Sequence, residues 1–171
     1  MDILVMGHEL SHGFDDQGSL YDKVGNLRDQ WTKADRARFN AKIRCIIKQY
    51  DALQPLPGLH EKGALVVGEE TADLGGVTLA YRAFEHWQSM HPRRIIDGFT
   101  PEQRFFFGWA RDWRSVQRPA LVRLLAQTDV HAYDKFRVNA TLSNLPAFAA
   151  AFGCPAKPAM VRPAAERCAI W

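Results

Sequence analysis

Apolar residues in this chain recur mainly at helical spacing. The clearest stripe is Phe39, Ile43, Ile46, Ile47 and Tyr50, which falls on one face of a 3.6-residue repeat. Thr32-Lys33-Ala34-Asp35 stands before it as a helix start, with Thr32 as cap and an acid three residues on. Gln54-Pro55-Leu56-Pro57-Gly58 ends it. An apolar run, Ile3-Leu4-Val5-Met6-Gly7, opens a helix over residues 3 to 13. Residues 14 to 29 are rich in Asp and Gly and predict a loop or short hairpin, turning at Asp22-Lys23-Val24-Gly25-Asn26. A long helix is expected from about Glu69 to Trp87. Gly75 and Gly76 inside it each cost about 1 kcal/mol of helix propensity relative to Ala. Close approach to the first helix would offset that cost. Residues 92 to 100 predict a loop. Pro101 then takes the first position of a helix that would largely bury Phe105, Phe106, Trp109 and Trp113. A short helix over 119 to 126, two small helices near Phe136 and Phe148, and a Pro-rich tail complete a mainly α chain.

Composition narrows the function classes. A chain of 171 residues without repeats or long linkers is expected to form one domain over 1–171. A hydrophobic share of 47% excludes disorder. The net charge of +3 is small and its basic residues are dispersed, so nucleic-acid binding is not expected. The Phe and Trp cluster from Phe105 to Trp113 sits at helical spacing and predicts core, not a base-stacking platform. No segment reaches the roughly 18 apolar residues of a membrane span. Residues 3 to 6 are too short for the apolar stretch of a signal peptide. His60, His86 and His91 have no partner at ligand spacing and are expected at the surface.

Chemistry enters with His8-Glu9-Leu10-Ser11-His12. On a helix, residues i and i+4 share a face, so two imidazoles can hold one zinc ion. Glu9 is then placed to take a proton from water at that ion. The same pattern also occurs as a solvated amphipathic turn. A hydrolytic zinc site needs a third protein ligand. A third histidine six residues after His12 would fall at Gly18, and a glutamate about twenty residues on would fall near Trp31 or Thr32. Neither position carries one. Gly68-Glu69-Glu70-Thr71-Ala72-Asp73 offers a carboxylate pair at i and i+4. Glu69 can bind the metal while Asp73 accepts the second ring N–H of a ligand histidine. Such pairs are common on solvated helices; the signal lies in the combination.

These motifs resemble the C-terminal part of the neprilysin family (M13) of zinc metallopeptidases. The matching residues are Val5 to Asp16, Gly68 to Gly76, Thr128-Asp129-Val130-His131, Phe136-Arg137 and the closing Cys168-Ala169-Ile170-Trp171. The resemblance implies a zincin, thermolysin-like catalytic subdomain and one Zn2+ held by His8, His12 and Glu69. It places Glu9, His131 and Asp73 in the catalytic set, with His131 as the donor to the oxyanion. Asp15 and Asp73 would orient the histidine ligands. Arg137 would bind a substrate carbonyl. Val5 and Trp113 would lie near the pocket past the cleaved bond, although either residue could equally be core. Substrates would be oligopeptides, cut on the amino side of hydrophobic residues.

Three cysteines occur, and taken alone they could be three buried thiols. The resemblance implies that Cys45 pairs with Cys168 and that the counterpart of Cys154 bonds outside this stretch. Disulfides fit an extracytoplasmic compartment. Family members are several times longer. The part before the zinc motif would supply an edge strand for the peptide and a domain that closes the cavity. Two expectations therefore stand: a zinc endopeptidase, or a non-catalytic zinc-binding remnant with weak or absent turnover by this chain alone.

Overall fold

The computed structural model describes residues 2–155 and 159–170, with the backbone alone for Asp2. The terminal Trp171 of the motif match lies outside the described residues. Among the described residues seven α-helices follow one another: α1 Asp2–Ser11, α2 Lys33–Asp51, α3 Gly63–Ser89, α4 Pro101–Asp112, α5 Pro119–Thr128, α6 Asp134–Ser143 and α7 Pro146–Ala151. Among the described residues the only extended pairings are isolated bridges, one of which closes the turn at Asp22 between Tyr21 and Leu27.

The organising element is α3. Its middle, from Glu70 to Val77, is buried on every side, the mark of a helix inside the packing and not on its surface. One apolar cluster joins α3 to α2 and α6 through Ile46, Tyr50, Val66, Leu74 and Phe136. A second joins it to α1, α4 and α7 through Leu4, Val77, Phe106, Trp109 and Phe148. The stripe on α2 thus finds its partner: Phe39, Ile46 and Tyr50 are buried, with Ile43 and Ile47 packed at the margin.

Helix ends show where local signals acted and where tertiary contacts did. Thr32 caps α2 by accepting from the Asp35 N–H at 3.1 Å. Thr100 and Gln103 form a reciprocal capping box at α4, with Pro101 in its first turn. By contrast, α3 begins six residues before the expected Glu69. The Asp51 carboxylate at the end of α2 accepts from the Gly63 N–H at 2.7 Å and so caps α3 from another helix. The expected helix over 3 to 13 is shorter as an α-helix. After Ser11 the chain tightens into a 3-10 turn, His12–Phe14, where Asp15 collects the Gln17 and Gly18 N–H groups. Phe106 and Trp109 are fully buried as expected, whereas Phe105 and Trp113 are only half-buried.

A disulfide joins Cys45 on α2 to Cys168 in the tail, 123 residues apart. Closing a loop of that order stabilises a fold by about 4–5 kcal/mol in the chain-entropy account. Beside it Lys42 Nζ donates to the Ile170 carbonyl at 2.6 Å. Cys154 is a free, half-buried thiol.

The contact that positions the site is between α1 and α3. A Cβ added to Gly76 would lie 2.4 Å from the His8 backbone N, and one on Gly7 would lie 2.7 Å from the Gly76 carbonyl oxygen. Both are too short for any side chain, so only glycine lets the two backbones touch. Gly76→Ala is therefore expected to cost about 1–3 kcal/mol, read as a lowered urea midpoint. Gly13→Ala, whose Cβ would meet nothing within 4 Å, should shift it by about 0.5 kcal/mol or less.

Candidate metal centre

Close approach at Gly7 and Gly76 delivers the next residue, His8, against the start of the ExxxD segment. His8 is buried, and its Nε2 lies 3.0 Å from His12 Nε2 and 3.3 Å from Glu69 Oε2. His12 Nε2 lies 3.6 Å from Glu69 Oε1. Among the described residues these three form the group whose donor atoms all lie within 4.8 Å of one another.

The outer ring nitrogens are held by acids. His8 Nδ1 donates to Asp73 Oδ1 at 2.8 Å, and Asp73 is fully buried. His12 Nδ1 donates to Asp15 Oδ2 at 2.6 Å. With both Nδ1 atoms donating, the neutral rings turn two Nε2 lone pairs toward each other across 3.0 Å, an arrangement that calls for a cation between them. Tetrahedral zinc with donors about 2.05 Å away separates those donors by about 3.3 Å. The observed separations of 3.0, 3.3 and 3.6 Å match that edge length. The residues present therefore fit zinc, and the carboxylates behind the rings are the arrangement that raises ligand basicity.

The charge around these atoms favours a cation, which is a proton on His8 where no metal is bound. Burial pulls the His8 imidazole down, but hydrogen bonds to Asp73 and Glu69 and the Asp73 charge outweigh it and raise its pKa to about 9. Glu69 resists its own desolvation through His8, His131 and Arg137 and stays below the usual carboxylate range. Its neighbour Glu70 is pushed up to about 8 by complete burial, with the Asp73 charge adding to the effect.

Two residues from the far end of the chain converge on Glu69. His131 Nε2 sits 3.1 Å from Glu69 Oε2, while its Nδ1 meets Asp129 Oδ1 at 2.8 Å. Arg137 on α6 is buried and clasps Asp73 with Nε at 2.7 Å and Nη2 at 2.8 Å. The same Nη2 approaches Glu69 Oε2 at 3.4 Å. Its guanidinium lies 3.6 Å from the centre of the Trp113 ring. Trp113 is thus an aromatic floor under Arg137. Glu9 points to solvent from α1, and no hydrogen bond or ion pair among the described residues takes its carboxylate. Val5, half exposed, sits one turn before His8. His60, His86 and His91 are all exposed, away from this group.

Some partners were not legible beforehand. The role of Asp129 had a faint signal, because an Asp two residues before a loop histidine can bond back to its N–H, as Asp129 does at 2.9 Å. Glu61 and Glu70, which bond to the same loop, had none.

Two measurements test the centre. Glu69→Gln should lose tight zinc binding in a chelator competition. Asp73→Asn should weaken it by about 10–100-fold, the usual effect of removing a carboxylate behind a histidine ligand.

Comparison with known proteins shows the family. The sequence model of Peptidase family M13 matches residues 4–168. Neprilysin-1 of Caenorhabditis elegans is 41% identical over 173 residues, covering 98% of this chain and 23% of the relative. Human endothelin-converting enzyme-like 1 is 37% identical, with 98% and 22% covered. The crystal structure of the Mycobacterium tuberculosis zinc metalloprotease Zmp1 with an inhibitor superposes with a TM-score of 0.94 at 41% identity, covering 98% of this chain and 26% of that one. PepO of Lactobacillus rhamnosis gives 0.86 at 32% identity, with 99% and 25% covered. The chain thus spans about a quarter of the length of the relatives it matches. With the family model covering nearly all of it, the chain belongs to peptidase family M13.

Proposed function

We propose that this chain carries the catalytic centre of a zinc-dependent endopeptidase acting on oligopeptides. The observation that supports this most is the set of Nε2, Nε2 and carboxylate donors spaced for one tetrahedral ion, with Glu9, His131 and Arg137 around it. Zinc, when bound, would supply Lewis acidity, polarising a peptide carbonyl and acidifying water to a pKa of about 7.

The chain's own residues would do the rest. Glu9 lies next to His8 on α1 with its carboxylate unengaged, so it would accept the proton of the attacking water and pass it to the leaving amine. His131 would donate from Nε2 to the oxyanion that develops on the substrate carbonyl, a role that needs both ring nitrogens protonated, with Asp129 accepting the Nδ1–H and orienting the ring. Arg137 spends Nε and Nη2 on Asp73. No hydrogen bond among the described residues uses Nη1, which would be left for a substrate carbonyl. Val5 offers an apolar contact beside the ligands, in keeping with cleavage on the amino side of a hydrophobic residue. The disulfide between Cys45 and Cys168 favours an extracytoplasmic setting. No helix of the described residues is long and apolar enough to cross a membrane.

A second reading, zinc binding without turnover, is favoured by the exposure of Ile3, Met6 and Leu10 on α1. That apolar face would have no cover in this chain alone. One experiment separates the two. Peptide hydrolysis by the zinc-loaded chain should fall by about 10³-fold or more in Glu9→Gln, with zinc stoichiometry unchanged. Zinc retained with no hydrolysis in the parent would select the second reading.

A further inference from the structure

Three consecutive backbone N–H groups beside His131 are each taken by a side-chain carboxylate. The His131 N–H donates to Asp129 Oδ1 at 2.9 Å, the Ala132 N–H to Glu70 Oε1 at 3.3 Å, and the Tyr133 N–H to Glu61 Oε1 at 2.9 Å. Only the first carboxylate belongs to the loop itself. Glu70 comes from α3, one residue after the ligand Glu69. Glu61 stands two residues before α3, its own N–H bonded to the Leu53 carbonyl at 3.0 Å.

Both carboxyls are buried, Glu61 to 4% and Glu70 to 1% exposure. The Tyr50 hydroxyl stands beside Glu70 and lowers the cost of its burial, while also lying 3.4 Å from the Phe136 carbonyl and 3.3 Å from Thr141. An apolar residue at either position would leave a backbone N–H of the loop without its acceptor, at a cost on the order of 1–3 kcal/mol. What the two carboxyls secure is the loop. A cavity of about 50 Å³, lined by Glu61, Asp129, His131 and Tyr133 among others, lies along it. Ala132 and Tyr133 pack on the core from the other side, so on the cavity side the hydrogen bonds are what fix the loop.

We infer that Glu61 and Glu70 are positioning residues: they fasten the 129–133 loop to α3 so that His131 is held in register with Glu69. Because α3 is one continuous helix, the bond at Glu70, the residue next to Glu69, transmits the position of Glu69 to the loop. Glu61 pins the next N–H and stops the loop from sliding into the cavity. Asp129 then orients the ring, taking its Nδ1–H, within a loop whose place is already fixed. The inference rests on the reading of His131 as the oxyanion donor, and it adds two residues whose side chains touch neither metal ligand atoms nor substrate.

The test uses the full chain loaded with zinc. Glu61→Leu and Glu70→Leu remove the acceptor, whereas Glu61→Gln and Glu70→Gln keep a side-chain carbonyl at the same place. The first readout is amide hydrogen exchange at Ala132 and Tyr133, with the ring 15N spectrum of His131. The Leu variants should exchange about tenfold faster at the amide that lost its acceptor and show shifted His131 ring 15N resonances. The Gln variants should stay close to the parent in both.

The second readout is hydrolysis of a quenched-fluorescence peptide. The Leu variants should lose about tenfold in kcat with little change in KM, and should lose nothing further in a His131→Ala background. Unchanged exchange in the Leu variants, equal losses in the Leu and Gln variants, or added loss in the His131→Ala background would each overturn the inference. If a Leu variant fails to fold, its Gln counterpart decides: it must protect the same amide as the parent. If the parent hydrolyses no peptide, the proposed activity falls, while exchange and the His131 spectrum still decide whether the two carboxyls hold the loop.

Discussion

The structure around the centre depends on one fully buried carboxylate, Asp73. A lone charge in that position would be prohibitively costly. It is tolerated because Arg137 grips both of its oxygens and His8 Nδ1 shares one of them. Through these bonds Asp73 couples α1, α3 and α6 at a single point. The arginine is in turn confined from two further sides. The Trp113 ring lies against its guanidinium, and the Trp109 indole N–H donates to its backbone carbonyl at 3.1 Å. Removing one member leaves a buried charge without compensation, so the cluster holds together as a unit.

The same carboxylate sets the electrostatics of the donors. Asp73 and Asp15 stand behind the two imidazoles, and Glu69 stands in front. Arg137 offsets part of this charge, yet the His8 pKa still rises to about 9 despite burial. An ensemble with that excess of negative charge favours a cation at the Nε2 atoms. Its orientation comes from hydrogen bonds and not from the rigidity of α1. This matters because α1 ends at Ser11 and His12 lies in a tighter turn.

Carboxylates also act on backbone in this fold, in roles that a ligand inventory misses. Asp51 caps α3 from the end of α2, Asp15 gathers the turn after His12, and Glu61, Glu70 and Asp129 take consecutive N–H groups of one loop. Each replaces a missing backbone acceptor where the chain is irregular, which is where buried N–H groups otherwise go unpaired. Asp15, Glu70 and Asp129 lie within three residues of His12, Glu69 and His131, so irregular backbone around the candidate centre is held by specific bonds.

The sequence by itself determined the helical pattern and the elements that carry the donors. Helix spacing, the caps at Thr32 and Thr100, and Pro101 are local signals that need no tertiary partner. The i, i+4 pairs His8/His12 and Glu69/Asp73 were legible for the same reason, because the repeat of a helix is fixed by its backbone. Gly76 was legible as a close approach, since nothing else justifies its cost in a long helix. Only the tertiary structure decided the early start of α3, the place of Trp113 under Arg137, and the carboxyls of Glu61 and Glu70 on the His131 loop. These contacts join residues 12 to 72 positions apart. A hydrogen bond of that reach leaves no period in the chain, because its partners are selected by how helices pack and not by spacing along them.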